Sequence, residues 1–382
     1  MNRIAMSRKN FLELAAGSAV GAALFRFPAL GLASEPQKAS RSLKAVGLAD
    51  LPGAIDAAKA SSLVDRSFKN IVECVERIGN EPLRRETLKL VKDPTLTFLE
   101  QYTSPASVEK LYAALAAEKL VDPAKVDAAH LLPPMDKPVQ AFMTAPGSGY
   151  GSHHSYPGGL ATHVDVNLHI TETLCRIYDE VYMYEADRDV AVAAQALHDI
   201  AKPYVFQWQP DGSSLKEYPV AGQGAHHVIS LAEVIWRNFP AEEVIAQACA
   251  HGAPSSPKEE EAVCGWLKAA ALMAGKDPVK YGLLAPSGKS FPGPHRQEGY
   301  IVHLGDHDWV LSVPAAQKAV KTLRRIAGEM YGMSEADLNG AKFNAFRNYV
   351  GAQTSYMFLN ALEGREDGYA LAAAEVAAII LK

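Results

Sequence analysis

The chain has 382 residues, 48% of them hydrophobic and 21% charged, enough apolar material for one large helical domain or two smaller ones. Its formal net charge of −5 gives no overall field that would concentrate a long polynucleotide, so a local pocket for a small phosphorylated ligand is the remaining nucleotide-like option. The four cysteines (Cys74, Cys175, Cys249, Cys264) form no C-x-x-C pair and fall largely in apolar helical patterns, which predicts buried free thiols.

The first element is a targeting segment. Ser7-Arg8-Lys9-Asn10-Phe11-Leu12 precedes a small, apolar run from Leu14 to Leu32 that ends Gly31-Leu32-Ala33, a basic start, an apolar stretch and a small-residue cleavage site. It resembles the twin-arginine export signal, with Lys9 where the second arginine is expected and Arg26 interrupting the apolar run. The other readings are a general secretory signal or an uncleaved N-terminal anchor helix. Export to the periplasm is the expectation, and cleavage after Ala33 would leave 34 basic against 42 acidic residues, a net charge of −8. Apart from this segment no apolar run reaches transmembrane length.

Residues 34 to about 48 read as a polar linker. From Ser61 the spacing of Val64, Phe68, Ile71, Val72 and Val75 predicts a helix. Glu81-Pro82 starts a second helix through Lys92, and Ser104-Pro105 a third through Leu120. Leu131 to Gly151, rich in Pro and Gly, reads as an irregular connection. Helices then follow from about Leu160 to Tyr178, with His163, Asn167, Ile170, Leu174 and Ile177 on one face, and from Asp187 to Lys202, whose alanines allow close helix approach. Tyr204 to Pro219 reads as a short hairpin turning at Pro210-Asp211-Gly212. Further helices cover about Ala225–Asn238, Pro240–His251, Glu259–Gly275 and Glu298–Ser312, the last stopping before Pro314. Gly282 to Gly299 reads as a loop, and Ala315 to Lys382 as two or three amphipathic helices without evident chemistry.

Histidines and carboxylates recur on these helices: His163, the adjacent pair His198-Asp199, His226 or His227, His251 and Asp306. Neutral imidazole and carboxylate suit divalent transition metals, and a bundle can gather them from separate helices. Adjacent helical residues diverge by about 100°, so the His198-Asp199 pair would straddle a metal, with the carboxylate free to bridge two ions.

Pro157-Gly-Gly-Leu-x-x-His163, His198-Asp199-x-x-Lys202, His226, His251 and Asp306, in this order, resemble the HD-domain superfamily of metal-dependent phosphohydrolases. The form His153-His154-x-x-Pro-Gly-Gly-Leu-x-x-His163 is similar to the branch with HD-type 3′-to-5′ exoribonucleases, although the nucleic-acid-binding barrel of that branch is not visible in the helical stretch 61–120. The resemblance covers roughly residues 152–312. It implies an all-α HD-domain bundle with helical N- and C-terminal extensions, divided as 1–33 (signal), 34–150, 151–312 (metal-binding) and 313–382. It implies His163, His198, Asp199 and Asp306 as defining ligands, with His226 and His251 added where two metals are bound and His226 preferred over His227. It also implies one or two divalent ions such as iron or manganese, Asp199 bridging, and Lys202 facing the substrate phosphate. His153 and His154 are placed at the pocket rim as proton donors to the leaving group.

Bland readings stand beside these. A lone histidine on an apolar helix is usually a hydrogen-bonded core residue, and Lys202 could be a solvated cation favoured by a helix C-terminus. His169, His303, His307 and Asp308 match no position of the resemblance and read as surface or supporting residues. Lys289, His295 and Arg296 could grip phosphate, and Tyr204 and Trp208 could stack on a base, but a connection and core cover are the plainer readings. The expected function is metal-dependent hydrolysis of a small or nucleotide-like phosphoester. Two other classes remain: a di-iron oxygenase with the same ligands, and a non-catalytic metal-binding sensor. Nothing in the residues sets the oligomeric state.

Overall fold

The computed structural model describes residues 42–136, 138–294 and 297–382; the targeting segment, His295 and Arg296 lie outside the described residues. The chain begins with β1 (Val46–Gly47), α1 (Ala54–Lys59), α2 (Ser62–Glu76), α3 (Glu81–Lys92) and α4 (Pro105–Ala117). The starts of α2 to α4 are capped as their sequences dictate. Ser61 accepts from the Val64 amide, Asn80 from Leu83, and Ser104 forms a capping box with Ser107. α1 was not foreseen. At six residues it is too short to show a period.

The central region follows: α5 (Gly159–Tyr182), α6 (Arg188–Leu197), the one-turn α7 (Lys202–Val205), β2 (Pro219–Val220), β3 (Gln223–Gly224), α8 (Ala225–Trp236), α9 (Ala241–Ala248), α10 (Pro257–Met273), the short α11 (Pro278–Tyr281) and α12 (Glu298–Gly305). α6 is the hub. Every residue from Val190 to Leu197 is buried, and its alanines bring α3, α5, α9 and α12 against it from all sides.

Two glycines fix how the chain enters α5. Gly158 has φ +80°, and a Cβ there would run into the Val64 side chain, while a Cβ at Gly159 would overlap the His154 carbonyl. The tight fit lays residues 147–154 across the start of α5.

The end of the chain is α13 (Trp309–Tyr331), α14 (Glu335–Leu338), α15 (Ala341–Thr354), α16 (Tyr356–Glu363), α17 (Gly368–Ile379) and β4 (Ile380–Leu381). β4 pairs in parallel with β1, Val46 opposite Ile380, so the two ends of the described chain share one small sheet. A second core, including Leu323, Phe346, Tyr349 and Val376, packs under α1 and Tyr156.

The protein is all-α apart from these short ladders, as the sequence predicts, and all four cysteines are free and buried. Several expectations are corrected. The 298–312 helix breaks at residues 306–308, and α13 carries Pro314 inside it and runs on through residue 312. The break turns Asp306 and Asp308 inward, while Pro314, the sixth residue of α13, lies past the first turn and costs the helix one internal hydrogen bond without ending it. The apolar stripe of α5 is Leu160, Val164, Leu168, Thr171 and Cys175, leaving Ile177 exposed. The 204–219 hairpin is reduced to a single antiparallel bridge, Trp208 to Ser214, with the ladder displaced to β2 and β3. The C-terminal stretch holds more helices than the two or three expected, α13 to α17. Tyr204 and Trp208 cover the core, their polar ends bonding the Leu96 amide and the Thr144 carbonyl.

Glu243 on α9 is fully buried, and neither carboxyl oxygen has a hydrogen-bond partner among the described residues. Burial pushes its carboxyl up to about 8. The folded protein therefore binds this proton more tightly than the unfolded chain, whose carboxyl titrates near 4.3, and stability falls between those values as pH rises. Glu243→Gln is expected to match the wild type near pH 4 and to exceed it by roughly 3 kcal/mol at pH 7. Denaturant unfolding across that pH range measures the difference; parallel curves would show that Glu243 has an unseen partner.

Candidate metal centre

Five elements deliver the six expected ligands. His163 lies in the first turns of α5 and His226 in the first turn of α8. His198 is the C-terminal cap of α6, with Asp199 in the turn that follows, so the pair sits at a helix end rather than inside a helix. His251 lies just past α9, and Asp306 caps α12. Helix ends suit this task, since a chain leaving a helix can aim consecutive side chains at one point.

The six side chains converge. The Nε2 atoms of His163 and His198 lie 3.2 and 3.1 Å from Asp199 Oδ2, and 3.2 and 3.3 Å from Asp306 Oδ1. The other Asp199 oxygen, Oδ1, faces a different set, His226 Nε2 at 3.4 Å and His251 Nε2 at 3.8 Å. Asp306 Oδ2 stands 3.5 Å from His251 Nε2. Asp199 thus presents one oxygen to each of two pairs of imidazoles. Two of the tightest donor groups are His163-His198-Asp306 and His198-Asp199-His251.

Hydrogen bonding at the back of each ring sets which nitrogen faces the centre. His198 Nδ1 donates to the Gln195 carbonyl at 2.7 Å, and His226 Nδ1 to Glu217 Oε1 at 2.5 Å. A proton on Nδ1 leaves Nε2 as a lone pair directed at carboxylate oxygens. Asp199 Oδ1 and His198 Nε2 are buried without a hydrogen-bond partner among the described residues, and Asp199 Oδ2 has only the Lys202 ammonium besides the rings. Such a knot of acceptors calls for a cation, and imidazole with carboxylate is the donor chemistry of divalent transition metals.

Charge balance points the same way. Burial opposes ionisation of Asp199, yet His198 and Lys202 outweigh it and hold the carboxyl well below the usual range. Asp306 is likewise held low by His198 and His163 against its burial. Burial would lower His198, but the two carboxylates overcome it and hold the ring at about 10, so protons occupy this space when no metal does. His251 goes the other way. Burial and the neighbouring His227 keep it well below its ordinary value, in the neutral form a ligand needs.

His227 turns away. Its Nε2 meets the Ala248 carbonyl and its ring stacks on His251 at 4.3 Å between centroids. Lys202, the first residue of α7, is buried, with Nζ against Asp199 Oδ2 and the Gly147 carbonyl. His154, expected at the rim, is only 4% exposed. Its ring nitrogens engage Asp308 Oδ2 at 3.1 Å and the Tyr156 hydroxyl at 3.3 Å, in a left-handed backbone conformation with φ +49°. Lys289 pairs on the surface with Glu261 and His169 is exposed, both away from the centre.

Four residues outside the expected ligand set contribute, of which the sequence reads Asp308 as a surface or supporting residue. Asp308 holds His154 and lies 3.9 Å from His163 Nδ1. Asn167 donates to Asp306 Oδ1 at 2.8 Å and reaches His163, and Gln195 backs His198. Glu217 holds both the ring and the backbone amide of His226. Asn167 was on the predicted face with His163, four residues on. Glu217 lies nine residues before His226 in an irregular stretch, where no period could flag it.

Glu217 holds His226 as a carboxylate holds a metal-ligating imidazole, fixing its tautomer and ring orientation. Glu217→Gln is expected to weaken binding of the more weakly held metal by about 10- to 100-fold. Titration of Mn²⁺ against a chelating dye measures it, and unchanged affinity would mean that His226 binds no metal.

The fold is all-α, and its buried His/Asp centre is gathered largely from helix ends. Residues 161–274 match the HD domain family, a span that includes His163, His198, Asp199, His226 and His251 and ends before Asp306. The chain is also similar to the dihydroneopterin 2′,3′-cyclic phosphate phosphodiesterase of Methanocaldococcus jannaschii, 26% identical over 197 residues. That match takes in 51% of this chain and 64% of the relative, just under two thirds of its length. No solved structure gives a significant match. Among the described residues no helix is long and apolar enough to cross a membrane.

Proposed function

We propose that the protein is a two-metal phosphohydrolase acting on a small phosphoester, and that it works after export. The observation that carries the reading is Asp199, whose two oxygens face separate pairs of imidazoles. His163, His198, Asp199 and Asp306 would hold one ion, and Asp199, His226 and His251 the other. Divalent ions held there supply Lewis acidity and lower the pKa of a water to near neutrality.

The chain's own residues do the rest. Lys202 places a buried positive charge beside Asp199, where it neutralises a phosphoryl oxygen. Asn167 and Gln195 keep Asp306 and His198 in register. Asp308 and His154 brace the turn that carries His153 toward His163, whose ring lies 5.5 Å away. Burial, with His163 and Lys202 adding to it, holds His153 down at about 2, and burial also lowers His154. Both rings therefore favour the neutral form, and their buried contacts with Asp308, Tyr156 and His163 fit a part in shaping the site.

The relative named for a cyclic phosphate phosphodiesterase supports a small phosphodiester over a polymer, as does the net charge of −5. The test is metal analysis of purified protein together with hydrolysis of 2′,3′-cyclic AMP and bis(p-nitrophenyl) phosphate after Mn²⁺ or Fe²⁺ loading. About two metal equivalents with turnover are expected. Bound iron with substrate-dependent oxygen uptake and no phosphate chemistry would replace the reading with the oxygenase, and metal without turnover on any phosphoester would favour the sensor. Export is tested by fractionation: protein shortened at Ala33 in the periplasm is expected, and full-length protein in the cytoplasm would overturn it.

A further inference from the structure

Beside the centre lies a cleft of about 430 Å³ that reaches His226. Its walls come from two irregular segments, 148–152 and 214–217, with Phe206 between them. Phe206 is 3% exposed, and its ring centroid lies 5.7 Å from that of His226, so it forms an apolar floor next to the metal end. Tyr150, 49% exposed, forms part of the wall. Hydroxyls of Ser148, Ser152 and Ser214 supply a polar edge.

Tyr150 is not a loose surface ring. Its hydroxyl donates to Asn344 Oδ1 at 2.6 Å, and its amide donates to Ser214 Oγ at 3.1 Å. The Arg347 guanidinium sits 4.4 Å from the ring centroid. Arg347 is 1% exposed and has no carboxylate within ion-pair distance among the described residues. Its donors go instead to the Ser155 carbonyl and hydroxyl and to Tyr356 Oη. Asn344 and Asn348 also grip the carbonyls of Asp211 and Gly212, at the tip of the turn that carries Ser214. One helix, α15, therefore clasps both walls of the cleft. It lies outside the matched HD domain, in the region whose sequence shows no chemistry of its own.

We propose that this cleft is the subsite for the organic group of the phosphoester, a flat heteroaromatic ring, with Tyr150 as its stacking platform and α15, through Asn344 and Arg347, as the element that sets it. One face of the Tyr150 ring is taken by Arg347, and the exposed remainder borders a space of the size that small-ligand sites occupy. An aromatic wall, an aromatic floor and hydroxyls at the edge match a ring with apolar faces and hydrogen-bonding margins. The adjacency of His226 puts the phosphate of such a ligand at the metal end. Only that last placement rests on the phosphohydrolase reading.

The experiment uses the full protein and two kinds of probe. Adenosine and neopterin, which carry rings but no phosphate, report on the cleft by calorimetric titration. Hydrolysis of 2′,3′-cyclic AMP against ring-free glycerol 1,2-cyclic phosphate reports on specificity. Tyr150→Leu, with circular dichroism checking the fold because Asn344 and Arg347 hold the ring, is expected to weaken binding of at least one ring probe by about tenfold or more. It should lower the ratio of kcat/KM for 2′,3′-cyclic AMP to that for glycerol 1,2-cyclic phosphate by a similar factor. Asn344→Ala, which keeps the ring and removes its anchor, should shift both readouts the same way by less. Equal ring binding by wild type and Tyr150→Leu, or no ring binding by wild type, would overturn the subsite. Ring binding lost in Tyr150→Leu, with no phosphoester cleaved by wild type, would support the subsite while removing the phosphohydrolase.

Discussion

Asp199→Asn is expected to lower phosphoester hydrolysis on the order of a thousandfold and to cut metal retention from about two equivalents to at most one. The reason is geometric. Among the described residues Asp199 alone faces all four imidazoles, Oδ2 toward His163 and His198 and Oδ1 toward His226 and His251, at 3.1–3.8 Å, whereas Asp306 reaches three of them. The amide keeps the shape but offers one oxygen and no charge, so one of the two donor sets loses its anion. Mass-spectrometric metal counting with single-turnover hydrolysis measures both effects, and circular dichroism checks that the helices persist. A variant with full metal content and full turnover would show that Asp199 neither bridges nor ligates.

Lys202→Met should produce the opposite pairing of effects. Hydrolysis is expected to fall by about 10²- to 10³-fold, the usual cost of removing a preorganised charge aimed at a developing anion. Metal retention should stay the same or tighten, because Lys202 Nζ lies against the Asp199 oxygen that faces His163 and His198 and competes there with a cation. Methionine fills the buried space with similar volume, so the Gly147 carbonyl loses a donor but the core keeps its packing. The measurement is kcat/KM alongside a Mn²⁺ binding isotherm. Loss of metal in step with activity would make Lys202 a structural partner of Asp199, with no part in holding phosphate.

These two variants separate holding metal from holding substrate, and Glu217→Gln adds a third position behind His226. Together they test the centre from its shared carboxylate outward. The cleft beside His226 is tested independently through Tyr150, since a ring without phosphate needs no metal to bind.

Much of the fold was legible because helices announce themselves locally. The spacing of Val64, Ile71 and Val75, the Glu81-Pro82 and Ser104-Pro105 starts and the alanine-rich run before His198 each determine a helix from within a dozen residues. What failed were endings. Pro314 reads as a stop, yet it lies inside α13, past the first turn, where the buried residues that follow it, Ala315, Ala316 and Ala319, carry the helix on despite one lost hydrogen bond. His198-Asp199 continues the apolar pattern of α6, and only packing shows that the helix has already ended.

The ordered set His163, His198-Asp199, His226, His251 and Asp306 was readable in sequence because ligand chemistry restricts residue type and each position carries its own local marker. Six residues spread over more than 140 positions still say nothing of distance. Tertiary structure alone turns the two oxygens of Asp199 toward different imidazoles, swings His227 onto the Ala248 carbonyl, and brings Glu217 and Asp308 to the backs of rings that no period connects to them. It also decides that α15, from the chemically silent end of the chain, clasps the cleft. Residue identity sets which atoms can bind a cation, and that information is local. Which of them share one point in space depends on how buried helices pack, and that is settled by contacts between residues far apart in the chain.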